Sequence, residues 1–194
     1  ENYRLGLKTL ELGQTFIKQM GLLRQSKPVI EDLVRICNET TYVAVLKDFH
    51  IIYLDSVETS MTVRVVPRVG SRLPAYCTAA GKVQIAYMSS DEIDHYLPNR
   101  ELQKFTANTI GDREELKKQL AEIAEQGFAI DNEELDEGVK CVSAPIRDYT
   151  RRIIGAVSIS GPSMRFSDER ITKELIPLAT KAAEEISTKL GYQK

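Results

Sequence analysis

Two pairs of β-rich runs, each joined by a short turn, constrain the fold of this chain more than any other feature. Thr41–Leu46 and His50–Val57 flank Lys47-Asp48-Phe49, and Val139–Ile146 and Ile153–Ser160 flank the turn Arg147–Arg152. Parallel strands need a crossover of about a dozen residues or more, so runs joined this closely form antiparallel hairpins. Met61–Val66 alternates Val63 and Val65 with Arg64 and Val66 and is expected as a further strand, and Phe128–Asp131 as a short one.

Between the strands the apolar period changes to that of helices. Residues 3–20 carry Leu5, Leu12 and Phe16 on one side but are weakened by Gly6 and Gly13, which suits a connecting helix steadied by a partner. Ser26 and Pro28 stand where a cap and a first-turn proline belong, ahead of Ile30, Leu33, Val34 and Cys37 on one helical face. Thr78 is expected to cap a helix running to about Met88, and Ser89-Ser90-Asp91-Glu92 has the form of a capping box. Leu116, Leu120, Ile123 and Ala124 mark a helix stopped by Gly127, and Ser167 opens a last helix that Pro177 should kink. Helices packed on the faces of an antiparallel sheet make an α+β domain.

The 194 residues suffice for one sizeable domain with its own core, or for one domain plus an appended helix. A formal charge of −2 asks for no polyanionic partner, and Arg64, Arg68 and Arg72 alternate with apolar residues as an exposed edge. No apolar run has the length of a membrane span and no signal peptide opens the chain. Cys37, Cys77 and Cys141 are odd in number and widely spaced, as expected of reduced thiols in a cytoplasmic protein. No metal motif or cofactor fingerprint is present, and no cofactor or metal is expected.

The candidate chemistry lies at Leu73–Ala86. Pro74 ends an extended segment, Thr78 caps, and Ala79, Ala80 and Gly81 leave the first helical turn nearly bare. Unpaired amides at the positive end of a helix form a ready anion site, although an ordinary capped helix packed through small residues has the same pattern. In Ile153–Ser160 one face carries Ile153, Val157 and Ile159, and the other Ile154, Ala156, Ser158 and Ser160. The second face leaves either room for a small polar ligand or room for a closely packed helix. Asp131 could accept a ligand hydroxyl or hold a proton if desolvated, while Glu133, Glu134, Asp136 and Glu137 read as a solvated loop. A Cys77 nucleophile would need His50 or His95 as its base, and neither lies in a catalytic motif, so an enzyme is not expected.

Three ordered blocks add a resemblance. Leu73-Pro-Ala-Tyr-Cys-Thr-Ala-Ala-Gly-Lys82, Gly127-Phe-Ala-Ile-Asp-Asn-Glu-Glu134 through Glu137-Gly-Val-Lys-Cys-Val-Ser-Ala-Pro-Ile146, and Ala156-Val-Ser-Ile-Ser-Gly-Pro162 resemble the C-terminal effector-binding domain of IclR-type transcriptional regulators. Tyr3-Arg-Leu-Gly6 is similar to the linker that follows their DNA-binding domain. The resemblance implies a GAF-like antiparallel sheet, a linker over residues 1–22, an effector-binding domain over 23–194, and a homodimer or homotetramer. It further implies that DNA is reached only through an upstream winged helix-turn-helix absent from this chain, and that the effector is a small organic, aromatic or sugar acid. By the same resemblance the amides of Ala79 and Ala80 would hold its carboxylate and Asp131 and Cys141 would contact it, with Ser158, Ser160, Val65 and Leu73 at pocket positions. Thr78 and Val139 adjoin these positions and complete the expected site. The competing expectation is an assembly module that dimerises a regulator and senses nothing.

Overall fold

The computed structural model describes residues 6–9, 12–13, 21–67, 69–97 and 101–193. Most of the expected helix over 3–20, and Arg68 of the expected basic edge, lie outside these residues. Arg64 and Arg72 are described, and they pair with Glu58 and Asp48.

Six antiparallel strands form one sheet in the order β3-β2-β1-β6-β5-β4, from β1 (Thr40–Lys47), β2 (His50–Val57), β3 (Arg72–Pro74), β4 (Ala129–Asn132), β5 (Val139–Arg147) and β6 (Ile153–Pro162). Both expected hairpins are present, and the β1–β2 turn takes positive φ at Asp48 (49°) and Phe49 (58°). That backbone twist matches the twist of the paired strands. Met61–Val66 is not a strand; the third strand is Arg72–Pro74 instead. β1 pairs with β2 and β6, and β3 takes the outer edge of β2 over His50–Ile52, beside the hairpin turn. The displaced segment is tied by side chains, with Thr40 Oγ1 donating to the Val65 carbonyl at 2.8 Å and Arg165 Nη1 to that of Val63 at 3.0 Å.

Helices cover both faces. One face sets Val43, Val142, Val157 and Ile159 against α1 (Gly21–Cys37) and the C-terminal helix. The other sets Tyr42, Ala44, Cys141 and Ala156 against α2 (Ala79–Ile85) and α4 (Arg113–Gln126), with α3 (Ser90–Tyr96) at its margin. At the register shift by Ile146/Arg147, Ile154 packs on the α1 face with Val157 and Ile159, away from Ala156, so the expected alternation fails there.

The caps expected at Thr78, Ser89 and Ser167 all form, and Gly127 closes α4 at φ 82°. Ser26 does not cap. Within the described residues α1 is already helical at Gly21 and runs unbroken through Pro28, with Leu22 and Leu23 buried, and the Ser26 hydroxyl donates back to the Leu23 carbonyl. Pro177 stands at the start of α5 (Ile176–Lys189), and the expected distortion is a π-helical turn, Ile171–Leu175, just before it. A proline lacks the N–H that would bond the carbonyl four residues back, so the irregularity falls one turn upstream.

Two contacts lock the layers. Glu39, 1% exposed, accepts from Arg165 Nε (2.7 Å) and Nη2 (2.6 Å) and from Arg170 Nη1 (2.8 Å). Arg170 also donates to the Cys37 carbonyl at 2.7 Å, so one carboxylate joins the end of α1 to the chain after β6. At Gly81, a Cβ would stand 2.1 Å from the Ala75 carbonyl oxygen, so α2 can pack against the preceding 3-10 turn, Ala75–Cys77, only through glycine. Glu39→Ala is expected to cost about 3 kcal/mol, because it strands two arginines that remain partly hydrated. Gly81→Ala is expected to cost about 2–3 kcal/mol through overpacking against backbone. Urea unfolding of both variants measures these losses.

Candidate functional site

A cavity of about 400 Å³ opens between the start of α2, the sheet face beneath it and the segment that failed to become a strand. Its floor comes from the sheet: Tyr42 and Tyr53, Cys141 and Val139, Ser160, and Asp131. Its walls are Leu73 and Thr78 on one side, Val65, Val66, Pro67 and Ser71 on the second, and Leu135 and Asp136 on the third. Of the expected site residues, Asp131, Cys141, Ser160, Val65, Leu73, Thr78 and Val139 are brought together here, and Ala79, Ala80 and Ser158 do not line the space. All three of the latter are fully buried.

The register explains this grouping. Cys141 is paired with both Asp131 and Ser160, and Ser158 with Tyr42, so these side chains leave the sheet on one face. The Ser160 hydroxyl and the Cys141 thiol are 2.8 Å apart. The Ser158 hydroxyl donates to the Val142 carbonyl at 3.2 Å, which turns it into the sheet. Tyr42 and Tyr53 meet edge to face with ring centroids 4.7 Å apart. Strand alternation did not single out either tyrosine, because their place depends on cross-strand pairing and on a register shift at Val43/Ala44.

At the start of α2, Thr78 Oγ1 accepts from the Gly81 amide at 3.2 Å, and its carbonyl accepts from Lys82 at 2.9 Å. Ala79 and Ala80 are the first two helical residues, whose amides have no acceptor within the helix. One turn on, Lys82 is fully buried and forms an ion pair with Glu134. The acidic loop is therefore not wholly solvated. Glu134 is buried, with Oε2 unpartnered, because the loop is pinned inward by Thr106 and Thr109, whose hydroxyls donate to the Glu133 and Glu134 carbonyls at 2.6 and 2.5 Å.

Asp131 is 3% exposed, and its Oδ1 accepts from the Glu134 amide at 2.8 Å. Burial pushes its carboxyl up to about 7; the Glu134 amide pulls down against that, the Glu134 charge adds to the rise, and Lys82 opposes it. Burial, reinforced by the Asp131 charge, likewise pushes the Cys77 thiol up to about 12, and desolvation raises Cys141 further still. Both cysteines are poor sources of thiolate at neutral pH. His50 and His95 are exposed, and the His50 ring contacts the Asp48 carbonyl at 2.8 Å. Among the described residues no lysine, arginine or histidine lines the cavity, no acidic, cysteine and histidine cluster could hold a metal ion, and no helix is long and apolar enough to cross a membrane.

Comparison with known proteins places this architecture. The family model of the bacterial transcriptional regulator IclR C-terminal domain matches residues 14–188. The HTH-type transcriptional regulator KdgR of Escherichia coli (strain K12) is 35% identical over 192 residues, covering 99% of this chain and 73% of that protein. The crystal structure of the C-terminal domain of E. coli KdgR superposes with a TM-score of 0.80 at 34% identity, covering 89% of this chain and 100% of that one. An Acinetobacter PobR inducer-binding domain, a double mutant in complex with 3-hydroxybenzoic acid, shares the fold (TM-score 0.77, 20% identity, 84% and 95% of the two chains). The relatives are transcriptional regulators, not enzymes. The chain belongs to the IclR family of bacterial transcriptional regulators and corresponds to their C-terminal effector-binding domain.

Proposed function

We propose that this domain senses a small organic acid, aromatic or sugar-derived, in the cavity beside α2. The observation that carries this reading is the cavity itself: about 400 Å³, half apolar wall and half hydroxyl and carboxyl, of a size for a small metabolite. The PobR domain crystallised with 3-hydroxybenzoic acid supports the ligand class by analogy of fold. The effector's acid group lies toward Thr78, where the first amides of α2 lack helical acceptors, and its remainder lies over Cys141 and Ser160 against Val65 and Leu73. Ala79, Ala80 and Ser158 then act from just behind the wall, through backbone polarity and by keeping the sheet face small.

Occupancy alters DNA binding through the rest of the regulator. Residues 1–22 serve as the linker to an upstream winged helix-turn-helix and residues 23–194 as the sensor, in a cytoplasmic homodimer or homotetramer. A ligand shifts such an equilibrium only by its differential affinity for the two arrangements. Thermal-shift measurements over a panel of small organic acids, including 3-hydroxybenzoate, are expected to show stabilisation by at least one member. At a hundredfold excess over Kd the gain is about 2.7 kcal/mol, a shift of several degrees for a domain of this size. Val139→Phe, which adds a ring to the cavity wall, is expected to remove that shift and keep the ligand-free melting temperature within a few degrees. A panel without any stabilising acid, with oligomers intact by native mass spectrometry, favours the assembly module.

A further inference from the structure

The cavity raises an electrostatic problem for an anion. It presents Asp131 and Asp136, and the nearest buried cation, Lys82, is committed to Glu134. Asp131, Glu134 and Lys82 form a buried group with two carboxyls and one ammonium, so full ionisation would leave one uncompensated negative charge in a group almost wholly removed from solvent. Such a charge is costly, and the usual outcome is that a proton neutralises it. Asp131 is the member that faces the cavity. Among the described residues its one hydrogen bond is from the Glu134 amide to Oδ1, and the carboxyl is otherwise open only toward the cavity, in a residue 97% removed from solvent.

Resting on the proposed acid-sensing function, we infer that Asp131 meets the effector as a neutral carboxylic acid, donating a hydrogen bond from Oδ2 to the effector's anionic group. A neutral acid is the one form of this side chain that attracts an anion; the carboxylate would repel it and select an amine or a cation. The effector anion is thus taken up only with the proton on Asp131, and this residue sets the preference of the site for acids. A carboxylic acid held neutral by its surroundings so that it can donate to an oxyanion is established chemistry.

The other ionisable groups around Asp131 support the assignment. From the acidic loop, Glu134 and Asp136 both disfavour its ionised form, and Lys82 of α2 only partly offsets them. Cys77 of the 3-10 turn, Cys141 of β5, Tyr42 of β1 and Tyr53 of β2 also feel its charge, and all four are held neutral by burial. None of these supplies a positive charge to stabilise an Asp131 carboxylate. With its carboxyl near 7, the protonated fraction falls about tenfold between pH 6 and pH 8, and affinity for an anion falls with it.

Calorimetric titration with 3-hydroxybenzoate, which stays a monoanion across this range, tests the inference. Binding is expected to weaken about tenfold from pH 6 to pH 8 and, near pH 7 and above, to show proton uptake in buffers of different ionisation enthalpy. Asp131→Asn keeps both the acceptor for the Glu134 amide and a donor toward the cavity. It should fold, bind at both pH values and lose the pH dependence. Carboxyl carbon resonances of the free protein give a second reading: Asp131 should remain protonated at pH 6, whereas titration in the ordinary carboxylate range overturns the inference. Equal wild-type affinity at pH 6 and 8, or an unchanged pH profile in Asp131→Asn, overturns it while leaving the acid reading intact. Absence of 3-hydroxybenzoate binding at either pH in a folded protein counts against the acid reading itself, and the inference falls with it.

Discussion

Lys82 has no contact with water, and the arrangement of the ligand-facing side of the sheet depends on where that charge is neutralised. It lies on α2, a seven-residue helix of small residues pressed against the sheet, and its counter-ion arrives from Glu134, 52 positions away in the sequence. Breaking one partner of such a pair leaves a buried charge and is strongly unfavourable, so the pair fixes the loop to the helix. Once Glu134 is drawn inward, its amide caps Asp131, and Leu135 and Asp136 are placed at the rim of the cavity. The same loop is held from its outer side by Thr106 and Thr109. One ion pair thus converts an acidic turn from solvent-facing surface into a wall.

The opposite wall is built by a different device. The segment after β2 carries strand-like alternation but pairs with no strand, and its carbonyls at Val65 and Val63 are taken by Thr40 and Arg165. Arg165 is itself gripped by Glu39, which also binds Arg170 and through it the last carbonyl of α1. The cover of the cavity and the end of the N-terminal helix therefore share a single buried carboxylate.

Much of this was legible in the sequence, and the parts that were not share a cause. The hairpins, the caps at Thr78, Ser89 and Ser167 and the stop at Gly127 rest on interactions within a few residues, which local pattern reports directly. Met61–Val66 and Ser26 failed because the outcome was decided at a distance, by Thr40 and Arg165 taking the segment's carbonyls in one case and by buried Leu22 and Leu23 in the other. Ser160, Cys141 and Asp131 could be placed on a common face from alternation and the three ordered blocks. Tyr42 and Tyr53 could not, since only the β1–β6 pairing and the shift at Val43/Ala44 bring them to the cavity. Glu134 was the least visible. A run of acidic residues beside a glycine has the composition of solvated loop, and nothing local announces that one member is drawn inside by a lysine on another element.

The division between what is rigid and what can vary follows from these two devices. Floor residues such as Tyr42, Cys141, Ser160 and Asp131 belong to strands paired on both sides or pinned through Glu134, and replacing them disturbs the core as well as the cavity. Wall residues Val65, Val66 and Pro67 come from a segment outside the sheet, tied through Thr40 and Arg165, whereas Ser71 is bonded by its backbone to Tyr53 of β2. The shape of the cavity can therefore vary at the cover, while the hydroxyl and carboxyl groups of its floor are fixed by the fold. The cover can vary in size without altering the contacts that join it to the rest of the fold, since the latch at Glu39 lies outside the cavity.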